Sequence, residues 1–224
     1  MLLAHVLELG LVPYREAWEL QKRLEAEVAD GSRPDTILLL EHPPTVTTGR
    51  RTEPGELHIP EGAEVEVVET DRGGKSTYHG PGQLVCYPIF DLTRHGQDVK
   101  RYCRDLEEAL IVTLAKLGVA GERIDGLTGV WLTRPPRKIA SIGIHISRWV
   151  TTHGYALNVD LDPAPFTQWI TACGLEDAAF TTVAKELGRP VTVDEVRAPA
   201  LEALAEVFGL EPEERVHAEL AVGS

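Results

Sequence analysis

Residues 129–159 carry the stretch of sequence that decides the fold, GVWLTRPPRKIASIGIHISRWVTTHGYALNV. Three runs within it, at 129–133, 138–147 and 150–159, are rich in β-branched and aromatic residues, which favour strands. The connections between the runs are too short for parallel crossovers and suit antiparallel hairpins. The stretch therefore predicts a three-stranded antiparallel meander.

The rest of the chain mixes further strands with helices that do not strictly alternate with them. Apolar runs predict strands at 2–9, 36–40, 64–68 and 84–90, and turn-rich segments predict loops at 42–62 and 71–83. Helical spacing predicts helices after Pro13 and over 98–117, shorter ones after Pro165 and around 181–187, and a last one from Thr192 to near Gly209. The pattern predicts one α+β domain over residues 1–224, built on a largely antiparallel or mixed sheet.

Composition limits the class of protein. The 224 residues are 43% hydrophobic and 25% charged, as in ordinary globular proteins, and no apolar run approaches the ~18 residues of a membrane span. The N-terminus lacks the basic region of a signal peptide, and the three cysteines form no CxxC pair, so we expect a cytoplasmic protein. The net charge of −13 argues against nucleic-acid binding.

The charge is unevenly distributed along the chain. Residues 72–148 contain 12 Lys and Arg against 7 Asp and Glu, although the whole chain is strongly acidic. This basic middle third predicts a local site for an anionic partner, and chance segregation of solvated charges is the alternative. The basic residues that we considered as contacts for such a partner are Arg72, Lys75, Arg134, Arg137 and Arg148.

The cysteines and one lysine are candidates for covalent chemistry. Cys86 and Cys103 lie in apolar patterns typical of core residues, whereas Cys173 follows an apolar segment and precedes a glycine, where a thiol can be exposed at a turn. A third buried cysteine is the alternative. Lys138 begins a strand and shares a face with apolar residues, where burial would favour the neutral amine, a possible general base. A strand-edge lysine whose ammonium reaches water is the alternative.

Two glycine-containing segments are candidates for ligand binding. The loop RGGKSTYHGPGQ, residues 72–83, allows close approach of the backbone to a ligand, but it contains neither GxxxxGK[ST] nor GxGxxG. The segment HGYALNV, residues 153–159, places a glycine inside a predicted strand. A turn-rich connection and a structural histidine are the alternatives. No HExxH or HxH spacing occurs among the eight histidines, so the sequence predicts no metal site.

The order in which these segments occur identifies a protein family more specifically than any single segment does. RGGKSTYHGPGQLVCYPI, GVW, RKIASIGI, HGYALNVD and ITACGL occur in that order, and the chain resembles the octanoyl-[acyl carrier protein]:protein N-octanoyltransferase family, also called lipoate-protein ligase B or lipoyl(octanoyl) transferase. The resemblance covers about residues 1–210, with its motifs at 72–175. Lys75 stands where the family often has Gln, and Ala172 where Pro commonly precedes the cysteine.

The resemblance implies the fold of biotin and lipoate protein ligase catalytic domains and an acyltransferase without a cofactor. It implies an octanoyl group moving from octanoyl-acyl carrier protein to a lysine of lipoyl domains, in 2-oxoacid dehydrogenase complexes and the glycine cleavage H protein. It matches Cys173 to the nucleophile and Lys138 to the partner that ionises it. The residues that it matches to the substrate-binding segments are Arg72, Gly73, Gly74, Lys75, Ser76, Thr77, Tyr78, His79, Ser141, Ile142, Gly143, Gly154, Tyr155 and Ala156.

Elementary chemistry agrees with this implied mechanism. A thiolate attacks a thioester readily, a lysine amine beside it can exchange protons, and either His79 or a backbone N–H near Cys173 could stabilise the oxyanion. We expect the small residues Gly74, Gly143, Gly154 and Ala156 to leave room for the acyl chain. Acyl carrier proteins are acidic, which suits the basic middle third.

Two other classes of function compete with this hypothesis. An ATP-dependent lipoate or biotin ligase of the same fold would activate a free acid and need no cysteine. A non-catalytic acyl- or carrier-binding protein would keep an apolar tunnel and a basic patch without any need for Cys173 to meet Lys138.

Overall fold

The computed structural model describes residues 1–171 and 179–214. The strands are β1 (Leu2–Leu11), β2 (Asp35–Glu41), β3 (Thr45–Thr48), β4 (Glu66–Glu69), β5 (Thr77–His79), β6 (Gln83–Ile89), β7 (Glu122–Ile124), β8 (Leu127–Thr133), β9 (Pro136–Ser147), β10 (Val150–Asn158), β11 (Ala179–Phe180) and β12 (Leu210–Glu214). The helices are α1 (Tyr14–Ala29), α2 (Val99–Lys116), α3 (Pro165–Gln168), α4 (Val183–Leu187) and α5 (Val193–Phe208).

A large mixed sheet organises these elements. Its order is β12-β1-β2-β6-β10-β9-β8-β7, and β11 pairs in parallel with β9 outside that order. The strand β1 runs parallel to both β12 and β2, whereas the pairs from β2 to β7 along the sheet are antiparallel. A second sheet of three strands, β4-β3-β5, lies beside the loop at 72–76 that leads into β5.

Helices cover both faces of the large sheet. Successive side chains of a strand point to opposite faces, and β2 accordingly sends Leu38 and Leu40 towards α1 but Ile37 and Leu39 into the core formed with α2 and α5. All four leucine and isoleucine side chains are fully buried. This two-sided burial explains why the strand is a continuous apolar run rather than an alternating one.

The α+β class, the mixed sheet and the antiparallel meander β8–β9–β10 are confirmed. The capping box of Thr192 and Glu195 is present, and α5 continues through Pro199 to Phe208. The prediction of uninterrupted loops at 42–62 and 71–83 is wrong, since β3 and β5 lie within them. These strands are three or four residues long and are stabilised by pairing with each other, a long-range contact that local pattern does not reveal.

No helix in the described parts of the chain is long and apolar enough to cross a membrane.

Candidate active site

A cavity of about 380 Å³ opens where β9 and β10 meet the loop at 72–76. That volume falls within the ~300–1,000 Å³ that small-molecule sites occupy. The residues matched to the substrate-binding segments that line it are Arg72, Gly73, Gly74, Lys75, Ser76, Thr77, His79, Ser141, Ile142, Gly143, Gly154, Tyr155 and Ala156. Tyr78 does not line it: its ring packs edge-on against Phe166 and Trp169.

Arg72 shapes the loop rather than presenting a free charge. Its guanidinium is almost fully buried and donates to the carbonyl oxygens of Thr47, Gly73 and Lys75, at 2.8, 3.1 and 2.7 Å. The Gly73 amide donates to the carbonyl of Ile144 on β9 at 2.8 Å. Arg72 therefore holds the loop against the sheet, with the backbone turned around its side chain.

The expected role of Gly143 and Gly154 as space for an acyl chain is wrong. A Cβ on Gly154 would lie 2.2 Å from the carbonyl oxygen of Cys86, and one on Gly143 would lie 3.1 Å from the Cδ of Arg72. The space is thus occupied by protein, because β6 and the Arg72 loop approach β10 and β9 closely. Apolar wall is supplied instead by Leu127, Trp131, Ile142, Ile144 and Phe180.

Lys138 lies in the cavity wall at the start of β9. The residue is 6% exposed, and its Nζ lies 5.1 Å from the centroid of the Trp131 ring, within the range of a cation–π contact. Its carbonyl oxygen accepts a hydrogen bond from the Thr181 amide at 2.9 Å. The lysine is therefore a buried residue with a defined position, as the apolar pattern of the strand predicts.

Cys173 lies outside the described residues, so its predicted position at a turn stays a prediction. The described chain ends two residues before it at Thr171, whose amide donates to the carbonyl of Glu56 at 2.9 Å. The Glu56 carboxylate pairs with Lys75, a cavity residue. The chain resumes at β11, where Phe180 pairs with Lys138 in register. The flank after the 172–178 segment is thus paired with a cavity residue, and the flank before it is bonded to Glu56, the ion-pair partner of a cavity residue.

The other two cysteines differ in their settings. Cys86 is fully buried, as predicted, and burial raises its pKa to about 12. The prediction that Cys103 is a core residue is wrong in part, because this half-buried thiol borders the cavity. Burial and the nearby charge of Glu107 raise the pKa of Cys103, so at neutral pH it is a thiol rather than a nucleophilic thiolate.

Beneath the cavity lies a cluster of histidine and tyrosine side chains that the sequence analysis did not bring together. His42 Nδ1 donates to the carbonyl of Val12 at 2.7 Å, and its Nε2 accepts from the Tyr87 hydroxyl at 2.8 Å. The Tyr14 ring packs on the rings of His42 and His79. Tyr14 and Tyr87 both line the cavity but occur in helix and strand patterns with no local motif, so only tertiary structure shows them.

Burial keeps these histidines neutral. It lowers the pKa of His42 to about 4 and that of His79 well below its usual value. His79 Nδ1 donates to Gln83 Oε1 at 2.8 Å, which leaves Nε2 of the neutral ring without a proton. His79 is therefore a poor candidate for stabilising an oxyanion, and of the two options considered above a backbone N–H is favoured.

His153 connects the cluster to solvent. Its Nε2 donates to Asp71 Oδ1 at 2.8 Å, its Nδ1 accepts from the Tyr14 hydroxyl at 3.3 Å, and its amide donates to Gln21 Oε1 at 2.7 Å. The residue has a φ of 57°, in the left-handed region that few non-glycine residues adopt. Burial lowers the pKa of His153, and the hydrogen bond to Asp71 opposes that shift.

We expect the protein to lose stability as the pH falls from about 6.5 to about 4. His42 binds a proton near 6.5 when the chain is unfolded but only near 4 when it is folded, so protons favour the unfolded state in this window. The loss from His42 alone is about 3 kcal/mol. Urea unfolding at several pH values measures it, and the slope should be shallower in His42→Gln. An equal slope in that variant would contradict the assignment.

The five basic residues of the middle third that are candidates for contacts with an anionic partner do not form one exposed patch. Arg72 is buried, and Lys75 forms an ion pair with Glu56. Arg137 forms a bidentate ion pair with Glu186, with N–O distances of 2.8 and 2.5 Å. Arg134 and Arg148 are exposed but do not line the cavity. Exposed Arg51, which comes from the acidic first third, does line it. Local charge in sequence is therefore a poor guide to the charge around the cavity.

Among the described residues, no group of three His, Cys, Asp or Glu side chains is arranged to hold a metal ion.

The fold is that of the catalytic domains of lipoate and biotin protein ligases. A crystal structure of lipoate-protein ligase A bound with ATP superposes with a TM-score of 0.78 at 15% identity over 97% of this chain and 90% of that one. A biotin protein ligase from Aquifex aeolicus has a TM-score of 0.53 at 13% identity, covering 92% of this chain and 69% of that one. At such identities the likeness shows the fold alone.

Sequence comparison identifies the family. The profile of the Lipoyl protein ligase A/B catalytic domain matches residues 13–205, and the chain belongs to this family. It is 55% identical over 201 residues to an octanoyltransferase of Mycobacterium tuberculosis, covering 89% of this chain and 84% of the relative. It is 49% identical over 210 residues to an octanoyltransferase of Chloroflexus aurantiacus, covering 91% and 93%. These relatives support octanoyl or lipoyl transfer in protein lipoylation.

Proposed function

We propose that this chain, as one catalytic domain over residues 1–224, transfers an octanoyl group from octanoyl-acyl carrier protein to lipoyl domains through a thioester on Cys173. The acceptors are a lysine ε-amine in the lipoyl domains of 2-oxoacid dehydrogenase complexes and in the glycine cleavage H protein. The observation that carries the proposal is the position of Lys138, buried in the cavity wall beside β11, which immediately follows the Cys173 segment. The chain has three cysteines, an odd number that does not suggest a disulfide framework, and this supports a location in the reducing cytoplasm.

The first half-reaction is a thioester exchange. The Cys173 thiolate attacks the acyl carbonyl, its S–C bond forms, and the C–S bond to the carrier breaks. The released carrier thiolate takes up the proton of the Lys138 ammonium, which leaves Lys138 neutral. Lys138 as an ammonium would stabilise the cysteine thiolate by its charge. The Trp131 ring supports the charged form of Lys138 through its π face.

The second half-reaction forms the amide. The neutral ε-amine of the acceptor lysine attacks the Cys173 thioester, the C–N bond forms, and the Cys173 thiolate leaves. A neutral Lys138 would accept the proton that the attacking nitrogen loses, which returns the ammonium and the thiolate to their starting states.

The cavity suits an eight-carbon chain. Its apolar wall includes Trp131, Ile142, Ile144 and Phe180. Removing about six methylenes from water contributes roughly 5 kcal/mol at ~0.8 kcal/mol each. Of the basic residues considered for docking of the acidic carrier, Arg134 and Arg148 remain exposed, and Arg51 at the cavity joins them.

The test is intact mass spectrometry of the enzyme after incubation with octanoyl-acyl carrier protein. We expect the enzyme to gain one octanoyl group and to lose it when an apo lipoyl domain is added. Because Cys103 also borders the cavity, the experiment is repeated with Cys103→Ser, which should still be acylated.

Two other outcomes would contradict the proposal. Pyrophosphate exchange with free octanoate and ATP, without acylation by the carrier, would identify an ATP-dependent ligase. Binding of octanoyl-acyl carrier protein without any covalent product would identify an acyl- or carrier-binding protein.

A further inference from the structure

A β-bulge lies at Lys138. The strand β8 pairs Val130 with Ala140 but the next residue, Trp131, with Lys138, so Ile139 is an extra residue on β9. A bulge of this kind changes the direction of the neighbouring side chains and is common beside active sites. The direction in which Lys138 leaves the strand is therefore set by the β8–β9 pairing, and by the residue of β8 two positions before Trp131.

That residue is Gly129, and Lys138 occupies the space where its side chain would be. A Cβ on Gly129 would lie 2.8 Å from Cε and 3.4 Å from Nζ of Lys138. The same Cβ would lie 2.4 Å from the carbonyl oxygen of Ala140. Gly129 also has a φ of 105°, which side chains rarely permit. The amine end of Lys138 thus lies in a slot whose wall is the bare backbone of Gly129.

A buried carboxylate fixes that wall from the opposite side. The Gly129 amide donates to Glu107 Oε1 of α2 at 3.1 Å, and the Glu107 side chain is only 3% exposed. Glu107 Oε2 accepts from Arg104 at 2.8 Å and from Arg123 at 3.2 Å. A buried carboxylate is stable only when its oxygens are paired, and these donors leave Oε1 committed to the Gly129 backbone.

We propose that Gly129 and Glu107 are positioning residues for Lys138: Glu107 holds the Gly129 backbone, and Gly129 provides the slot that places the lysine amine in the cavity. This inference rests on the proposed role of Lys138 in transfer. It makes no claim that either residue touches the substrate.

The main test is a double-mutant cycle of Gly129→Ala with Lys138→Ala, measured as single-turnover transfer. A displacement of about 1 Å can cost about 100-fold, so we expect Gly129→Ala to lower the rate by that order in the wild-type background. With Lys138 already removed, only the contact with the Ala140 carbonyl and the unfavourable φ remain, so we expect a clearly smaller loss of rate in that background. An equal loss in both backgrounds would show a general distortion of the sheet and overturn the inference.

A second readout does not depend on transfer. The rate at which 2,4-dinitrofluorobenzene labels Lys138, followed by peptide mass spectrometry, should change in Gly129→Ala. It should stay at the wild-type value in Gly62→Ala, which shares the positive φ but has open space around its Cβ. A further outcome is that Lys138→Ala itself transfers at the wild-type rate while Gly129→Ala changes labelling. That result would reject the proposed role of Lys138 in transfer but would support the placement of its amine by Gly129. Unchanged labelling in Gly129→Ala would refute the slot.

The role of Glu107 is tested by a matched pair of variants. Both Glu107→Gln and Glu107→Leu lose the charge that pairs with Arg104 and Arg123, but only the glutamine keeps an oxygen acceptor for the Gly129 amide. We expect about tenfold slower transfer for the leucine variant than for the glutamine variant. Equal rates in the two variants would show that the Gly129 hydrogen bond does not position Lys138.

Discussion

Replacing Cys173 with alanine is expected to abolish octanoyl transfer while leaving the protein folded. The thiolate is the proposed nucleophile, and without it no acyl-enzyme forms, so the rate should fall by at least about a thousandfold. Mass spectrometry of a lipoyl domain incubated with octanoyl-acyl carrier protein and the variant measures the transfer. Circular dichroism and thermal unfolding of the same sample establish that the fold is kept.

The remaining cysteines serve as controls. Cys86→Ala leaves a small cavity in the core and should cost about 1 kcal/mol of stability with little change in transfer. Cys103→Ala should still form the acyl-enzyme, because its thiol stays protonated at neutral pH. Full transfer by Cys173→Ala would rule out this cysteine as the nucleophile.

Replacing Lys138 is expected to separate the two half-reactions. Lys138→Ala should slow both, by about 100-fold or more each, because it removes the charge beside the thiolate and the base for the incoming amine. Lys138→Arg keeps a charge but cannot release a proton near neutral pH, so acylation should survive in part while transfer to the lipoyl domain fails. Single-turnover kinetics of each half-reaction measure the difference, and the arginine variant should accumulate as octanoyl-enzyme.

Transfer from octanoyl-enzyme to the lipoyl domain at the wild-type rate in Lys138→Arg would exclude Lys138 as the base. The lysine would then act only through its charge. His153, which borders the cavity and is bonded to Asp71, would be the next residue to replace.

Much of the fold could be predicted because the deciding contacts are local. The meander β8–β9–β10 has short connections, and the helices α2 and α5 have clear apolar faces and caps. The strands β3 and β5 were missed because they gain their stability from partners distant in sequence, as Thr45 pairs with Glu66 and His79. Short strands of this kind contain too few residues to show a period.

The sequence predicted which residues belong to the candidate site, but not how their side chains are arranged around the cavity. Motifs identified most of the residues of the cavity wall. They could not show that Arg72 is enclosed by its own loop, or that backbone and side-chain atoms fill the space beside Gly143 and Gly154. Tyr14 and Tyr87 could not be predicted as cavity residues, because an aromatic residue in an amphipathic helix or an apolar strand has the pattern of a core residue. Their shared role at the cavity follows from packing of α1 against the sheet, which no local segment encodes.

The pairing of β1 with β12 has a consequence for how the chain is made. In the parallel register Leu2 lies opposite Leu210, so one edge of β1 stays unpaired while about 200 further residues are synthesised. Contacts so distant in sequence form late, and an unpaired edge invites pairing with other chains in the meantime. The strand β2 follows β1 after a single helix and pairs with the other edge of β1. Only one of the two edges of β1 therefore stays unpaired during most of translation.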